Sequence, residues 1–206
     1  MPALLERMFR DRGQTVEVLN AGVGNYNAER YAERYLTELA DLDPTDILVH
    51  FFLRDAEVLE PGGGNWLMRN SELAVMLWLA AQRTLGSRLA GTAIDRYRAL
   101  YRDDAPGHRA MLAALDRLAA DARAGHRRLF LAMVPDLHSL EHYPLVDVHA
   151  RMRREAEQRG FVFVDLLPAL AGLKPEEVWA MRGDPHPNAL GHRKMAEAVF
   201  PVLAAF

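Results

Sequence analysis

Residues 46–52 read DILVHFF, and this stretch decides the fold class of the chain. A near-continuous apolar run of strand length is typical of a parallel β-strand that is covered by helices on both faces. Residues 128–134, RLFLAMV, and residues 161–164, FVFV, have the same character. These runs predict buried strands of a mostly parallel sheet.

Segments with a helical spacing of apolar residues alternate with these strands. We predict a short strand over residues 16–19 and helices over residues 3–12, 28–41, 70–83, 92–102, 108–124, 144–159 and 188–203. Strands that alternate with helices of this length form βαβ units with right-handed crossovers. The pattern therefore predicts an α/β fold, a single three-layer αβα domain over residues 1–206.

The composition excludes several classes of protein. Of the 206 residues, 50% are apolar and 26% are charged, which excludes the collagen-like and disordered classes. The 25 basic and 28 acidic residues give a net charge of -3, so nothing indicates binding to nucleic acid. Because the chain has no cysteine, we expect neither a thiolate nucleophile nor a cysteine-ligated metal.

The sequence also gives no indication of a membrane partner. Its longest apolar run, Leu73 to Ala81, is too short to span a bilayer. The first residues, MPALLER, are amphipathic and begin with helix-forming residues, so no signal peptide is predicted. We therefore expect a cytoplasmic protein.

A ligand of a parallel sheet binds beyond the carboxyl ends of the strands. The loops that follow Leu19, Phe52, Val134 and Val164 are therefore the candidate site. The first three of these loops are rich in polar residues and glycines, which are Asn20, Gly22, Gly24, Asn25, Asn27, Arg54, Asp55, Glu57, Asp136 and His138.

The segment before the last predicted helix, residues 183–192, reads GDPHPNALGH. Pro185 and Pro187 fix the backbone on either side of His186, and the next residue, an asparagine, can cap the helix. The Asp184 carboxylate lies two residues from His186 and can orient its ring, which is the arrangement that a general base needs. The alternative is that His186 only packs at the entrance of the helix.

Residues 184–192, DPHPNALGH, together with residues 20–27, NAGVGNYN, resemble the SGNH (GDSL-type) hydrolase family of esterases and acetylhydrolases. Residues 134–136, VPD, and residues 163–168, FVDLLP, also look like that family. The resemblance runs through almost the whole chain. It implies a flavodoxin-like fold and hydrolysis of a small acyl ester or an acetylated carbohydrate, with no cofactor.

The resemblance also implies roles for individual residues. The family supplies a nucleophilic serine, a backbone amide, an asparagine side chain and an Asp/His pair. Carried over by position, His186 would be the general base and Asp184 its orienting carboxylate. The turn that contains Gly24 and Asn25 would supply an amide of the oxyanion hole.

Two positions of the chain depart from the pattern of the family. Arg54 stands where the family usually has its oxyanion-binding asparagine. It could donate hydrogen bonds to an oxyanion or a carboxylate, or it could pair with Asp55 or Glu57. The family usually places the acid three residues before the histidine, whereas Asp184 lies two residues before His186.

The nucleophile block of the family has no counterpart in this sequence. In the family, a Gly-Asp-Ser segment ends a central strand that precedes the first helix, and here the first helix begins near Pro2. The three serines are Ser71, Ser87 and Ser139. Ser71 is predicted to start a helix and Ser87 to end one, whereas Ser139 follows a strand and could approach the site.

A loose cluster of metal-ligating residue types lies in the second half of the chain. It consists of Asp136, His138, His142 and His149, which suit zinc in principle. No two of the histidines form a His-x-x-x-His pair inside a helix, because Pro144 interrupts the segment. We therefore predict no metal site.

The sequence leaves three functional hypotheses open. The chain derives from an SGNH-type ester hydrolase whose first strand and serine were lost by truncation or a misplaced start, or it is a non-catalytic relative that binds a carbohydrate or an acyl group. In the third hypothesis, another chain supplies the missing strand, and a homodimer through an exposed strand edge is one form of this.

Overall fold

The computed structural model describes residues 1–59, 70–77 and 93–205 of the chain. The predicted helix over residues 70–83 is only partly covered by these ranges, and residues 72–77 are helical. The glycine run at 62–64, predicted to be a surface turn, lies outside the described residues, as does Ser87. No helix within the described ranges has the length and apolar character needed to cross a bilayer.

The central element of the fold is a parallel sheet of three strands in the order β1-β2-β3. These strands are β1 (Asp46–Phe51), β2 (Arg128–Met133) and β3 (Val162–Asp165). β1 pairs with β2 from Asp46↔Arg128 onward, and β2 pairs with β3 up to Met133↔Asp165. A second, antiparallel pair consists of β4 (Trp179–Met181) and β5 (Asp184–Pro187).

Helices separate the strands, as the apolar spacing predicted. They are α1 (Pro2–Asp11), α2 (Ala28–Arg34), α3 (Ala93–Leu100), α4 (Pro106–Ala124), α5 (Val146–Gln158), α6 (Pro175–Val178) and α7 (Ala189–Ala204). Short turns of 3-10 helix follow β1 at Leu53–Ala56 and β3 at Pro168–Leu170.

Both faces of the sheet are covered, and the two faces belong to two hydrophobic clusters. Ile47, Val49 and Phe51 of β1 pack in a cluster with α2, α4 and α5. Phe130 and Ala132 of β2 point to the opposite face, where they join residues of α1 and α7. The mixed α/β class is therefore confirmed, and the near-continuous apolar runs are explained by burial on both faces.

The prediction of a strand over residues 16–19 is wrong. This segment has no regular secondary structure, and the side chains of Val16 and Leu19 are 38% and 55% exposed. A strand exists only through pairing with a neighbour, and no described strand lies beside this segment. The backbone of this segment is held instead by a hydrogen bond from the Val18 N–H to the side-chain carboxylate of Glu6, 3.3 Å long.

Two other predictions needed correction. The helix predicted over residues 28–41 is α-helical only to Arg34 and continues as a π turn (Tyr35–Leu39) and a 3-10 turn (Ala40–Leu42). Residues 184–187, for which no strand was predicted, form strand β5. The short hairpin was missed because β4 has only three residues and β5 contains two prolines, so neither gives the alternating pattern of a strand.

Candidate functional site

Most of the polar residues singled out in the sequence fall on the loops at the carboxyl edge of the parallel sheet and on the β4–β5 hairpin, whereas residues 20–27 precede α2 and follow no described strand. Residues 53–57 follow β1, residues 134–143 follow β2, and residues 166–170 follow β3. Because the three strands are parallel, these loops emerge at the same edge.

Asp184 and His186 form a hydrogen-bonded pair on β5. The Asp184 Oδ1 atom accepts the backbone N–H of His186 at 3.0 Å and contacts the ring Nδ1 at 2.5 Å. Both bonds are stronger to the charged carboxylate than to the neutral acid. The bond from the ring, followed by the one from the backbone, therefore lowers the pKa of Asp184. We call this arrangement the 184–186 turn.

The geometry of the 184–186 turn fixes the tautomer of its histidine. A carboxylate on Nδ1 holds the proton of the neutral ring there and leaves the lone pair on Nε2. The side chain of His186 is 84% exposed, so Nε2 is open to an incoming group. The ring can therefore take a proton from a hydroxyl group.

Asn188 anchors the hairpin to the helix that follows it. Its side-chain oxygen caps α7 by accepting the N–H groups of Leu190 at 2.9 Å and Gly191 at 3.1 Å. Its amide group donates to the carbonyls of Glu177 and Trp179. The predicted helix cap is confirmed, and it ties β4 to the start of α7 next to His186.

A second pair with the same geometry lies in the loop after β2. The Asp136 Oδ1 atom accepts the backbone N–H of His138 at 2.9 Å and contacts its Nδ1 at 2.7 Å. Asp136 is 16% exposed, whereas the His138 side chain is 62% exposed. We call this arrangement the 136–138 turn.

A chain of hydrogen bonds through Tyr143 and His149 connects the 136–138 turn to β3. The Asp136 N–H donates to the Tyr143 hydroxyl at 3.0 Å, the hydroxyl contacts His149 Nε2 at 3.1 Å, and His149 Nδ1 contacts Asp165 at 2.9 Å. The Asp165 carboxylate can only accept, so the proton of the neutral His149 ring is on Nδ1, and Nε2 accepts the Tyr143 hydroxyl proton.

The charges in this chain support that direction. Burial would raise the pKa of Asp165, but hydrogen bonds from His149 and the Leu167 N–H outweigh it and lower the pKa. Burial raises the pKa of Tyr143, so its hydroxyl keeps the proton that it donates. The three hydrogen bonds between Asp165 and the backbone of Asp136 therefore have a defined direction at each step.

The turn at Gly24 and Asn25 is exposed. Asn25 has a backbone φ of 61°, in the left-handed region that asparagine tolerates better than most residues other than glycine. In the described part of the chain, neither Gly24 nor Asn25 uses its backbone N–H in a hydrogen bond. These amides are free to donate to an oxyanion, which is the role that the resemblance implies.

Asn27 connects this turn to the loop after β1. Its side-chain oxygen caps α2 by accepting the Arg30 N–H at 3.1 Å, and its amide donates to the Glu57 carbonyl at 2.9 Å. Asn27 is buried, and it joins the Gly24–Asn25 turn to the segment that carries Arg54.

Arg54 pairs with Glu57, which is one of the alternatives left open by the sequence. The guanidinium Nε and Nη2 atoms both lie 2.8 Å from the Glu57 carboxylate. Asp55 instead turns inward, where its carboxyl group accepts the Phe52 N–H at 3.2 Å. An arginine whose charge is already matched by a carboxylate is a weaker donor to an oxyanion than a free one.

Neither of the described serines bonds to His186. The Ser71 hydroxyl accepts the Ala74 N–H at 3.2 Å and begins a helix, as predicted. Ser139 is half-buried directly after His138, and no described residue hydrogen-bonds to its hydroxyl. No group of three or more acidic residues and histidines in residues 1–59, 70–77 and 93–205 could hold a metal ion.

The predicted site residues are therefore brought together only in part. Asp184 is joined to His186, and the Gly24–Asn25 turn is joined to the Arg54 loop through Asn27. Within the described ranges, no hydrogen bond or ion pair connects these two groups to each other. The 136–138 turn does contact the β4–β5 hairpin, because its Leu137 carbonyl accepts the Trp179 ring N–H at 2.8 Å.

The sequence reasoning did not recognise the 136–138 turn as a functional pair, although Asp136 and His138 were both noted. The signal was present in the sequence. Asp136-Leu137-His138 has the same spacing as Asp184-Pro185-His186, and a carboxylate two residues before a histidine can bond both its backbone and its ring.

Comparison of the chain with protein-family models, with curated proteins and with solved structures finds no match.

Proposed function

We propose that this chain acts in ester hydrolysis of the SGNH type, on a small acyl ester or an acetylated carbohydrate, within a flavodoxin-like αβα domain. The observation that carries the proposal is the 184–186 turn. Its carboxylate fixes the proton of His186 on Nδ1 through a 2.5 Å contact and leaves Nε2 exposed. This is the arrangement of a general base.

In the proposed reaction, His186 Nε2 takes the proton of an attacking hydroxyl group as its oxygen adds to the ester carbonyl carbon. The exposed amides of Gly24 and Asn25 donate to the oxyanion that forms, and Asp184 stabilises the positively charged ring. The bond to the leaving alcohol then breaks, and His186 returns the proton to the alcohol oxygen. No cofactor takes part in these steps.

The attacking group is water, or it is a serine hydroxyl. In the second case a water molecule then gives its proton to His186 and attacks the acyl-serine ester, and the proton returns to the serine oxygen as the acid leaves. Of the two described serines, Ser71 caps a helix, whereas Ser139 has no hydrogen-bonding partner among the described residues and lies on the loop whose Leu137 contacts the β4–β5 hairpin. Ser139 is therefore the first residue to map if a serine is activated.

A His186→Ala variant tests the general base. We expect it to lose about 100-fold or more of the rate on p-nitrophenyl acetate or another short acyl ester, because the attacking hydroxyl loses its proton acceptor. His142→Ala is the matched control, since His142 is an exposed histidine with no carboxylate partner in the described part of the chain. Equal rates for the wild type and His186→Ala contradict the proposal.

Intact-mass analysis after incubation with a fluorophosphonate probe identifies the attacking group. A single adduct that is absent in His186→Ala indicates an activated serine. Ester hydrolysis without an adduct indicates that water attacks directly.

The second candidate is a non-catalytic protein that binds an acyl or carbohydrate ligand. It is favoured by the pairing of Arg54 with Glu57. Arg54 stands where an oxyanion donor is usual in the SGNH family, and here its charge is neutralised by the Glu57 carboxylate. In this case we expect at least one compound from a panel of acetylated oligosaccharides and short esters to raise the melting temperature of the protein without being hydrolysed. A panel in which no compound changes the melting temperature argues against binding.

A further inference from the structure

The 136–138 turn reproduces both hydrogen bonds between the aspartate and the histidine of the 184–186 turn. In each turn one carboxylate oxygen accepts both the backbone N–H and the ring Nδ1 of the histidine two residues later. In each, the histidine side chain is mostly exposed and its Nε2 atom has no hydrogen-bond partner within the described ranges. The chemistry available at His186 is therefore also available at His138.

The 136–138 turn is the better supported of the two. Asp136 is 16% exposed, compared with 37% for Asp184. The Asp136 N–H is bonded to Tyr143, and the carbonyl of Leu137 accepts the Trp179 ring N–H, so the backbone is held at two successive residues. The Trp179 ring also contacts the His138 ring edge to face, with the ring centroids 5.9 Å apart. A ring fixed in this way loses little conformational entropy when it binds a ligand.

The position of the turn in the fold is the second argument. It follows β2, the middle strand of the parallel sheet, at the edge where ligands of such sheets bind. The Asp136 carboxylate also interacts electrostatically with Tyr97. Burial raises the pKa of the Tyr97 hydroxyl, the charge of Asp136 raises it further, and the charge of Arg54 lowers it. The 136–138 turn therefore lies at this edge of the sheet and also contacts the β4–β5 hairpin through Trp179.

We propose that His138, positioned by Asp136, is a second proton-transfer residue of this chain and that it acts on a hydroxyl group, of water or of an alcohol, that attacks an acyl ester. The inference rests on the proposed ester chemistry but not on His186. The O–H bond of the hydroxyl breaks and its proton goes to His138 Nε2, while the oxygen bonds to the acyl carbon. The bond from that carbon to the leaving oxygen then breaks, and the proton passes to the leaving oxygen.

The test compares His138→Gln with His142→Gln on p-nitrophenyl acetate. His142 lies in the same loop, is exposed, and has no carboxylate partner among the described residues. We expect the His138→Gln protein to lose about tenfold or more of the rate and the His142→Gln protein to keep it. A wild-type rate no higher than that of His138→Gln overturns the proposal.

The same comparison in a His186→Ala background separates this proposal from the proposed function. If His186→Ala removes the activity and His138→Gln does not, the role of His186 stands and that of His138 is wrong. If a rate that depends on His138 remains in the His186→Ala protein, His138 acts independently of His186 and the proposal is supported.

The role of Asp136 as a positioning residue has its own readout. In Asp136→Asn the acceptor for the ring proton is weakened, so we expect nitrogen-15 NMR to show the proton of neutral His138 moving from Nδ1 towards Nε2. Asp147→Asn, a change at an exposed carboxylate that pairs with Arg98, leaves the tautomer unchanged. An Nε2–H tautomer of His138 already in the wild-type protein contradicts the assigned geometry.

Discussion

Asp55 is a carboxylic acid in the interior of the protein, only 9% exposed. Burial raises its pKa from 3.8 to about 8; the hydrogen bond from the Phe52 N–H opposes this, and the charge of Glu57 adds to it. The folded protein therefore holds the Asp55 proton up to about pH 8, whereas the unfolded chain releases it near its ordinary value. Because the folded state binds the extra proton in this interval, rising pH favours unfolding.

We predict that Asp55→Asn removes this loss of stability. The asparagine oxygen can still accept the Phe52 N–H, but the side chain cannot ionise. In urea unfolding between about pH 5 and about pH 8, the wild-type free energy of unfolding falls relative to that of the variant by up to about 1.4 kcal/mol for each pH unit. Asp41→Asn, at an exposed position, serves as the control and follows the wild type. Parallel curves for the wild type and Asp55→Asn contradict the raised pKa.

At the scale of residues, the sequence identified pairs that are close along the chain. The spacing of Asp184 and His186 predicts their contact, because a carboxylate can reach the backbone and ring two residues ahead. The chain from Asp165 through His149 to Tyr143 joins residues up to 22 positions apart, and it depends on how β3 and α5 are placed. No local pattern contains that information.

At the scale of elements, the buried hydrogen bonds fasten the loop after β2 to α5 and β3. Tyr143→Phe removes the hydroxyl that accepts the Asp136 N–H and donates to His149, so two polar groups lose their partner. We predict a loss of about 1–3 kcal/mol in the free energy of unfolding, measured by urea denaturation.

Tyr31→Phe is the matched comparison for Tyr143→Phe. The Tyr31 hydroxyl oxygen is also buried, but it has no hydrogen-bond partner in the described part of the chain. Removing it leaves no group unpaired, so we expect its effect to be close to zero or stabilising. Equal losses for the two variants would show that the hydrogen bonds of the Tyr143 hydroxyl contribute nothing to stability.

Elements with long apolar patterns were predictable, and those that depend on a neighbour were not. β2 is buried on both faces, so its residues had to be almost continuously apolar, and its bounds follow from the sequence. Residues 16–19 have an equally strand-like composition but no strand to pair with. The β4–β5 hairpin has the reverse character. Hydrogen bonds from Asn188 and from the Trp179 ring hold it in place, although the Asp and Pro residues of β5 are of types depleted in strands.

At the scale of the whole molecule, these differences predict an uneven distribution of stability. Backbone amides of β2 lie between two parallel neighbours and under helices on both faces, so they open only when the domain unfolds. Residues 15–25 are largely exposed, and their backbone N–H groups are held by two side-chain contacts, Val18 to Glu6 and Gly22 to Asn20. We predict that hydrogen exchange is slowest in β2 and close to unprotected in residues 15–25. Exchange measured on peptides from these two segments tests the prediction. Protection of residues 16–19 comparable to that of β2 would contradict it and would mean that this segment is paired with another strand in solution.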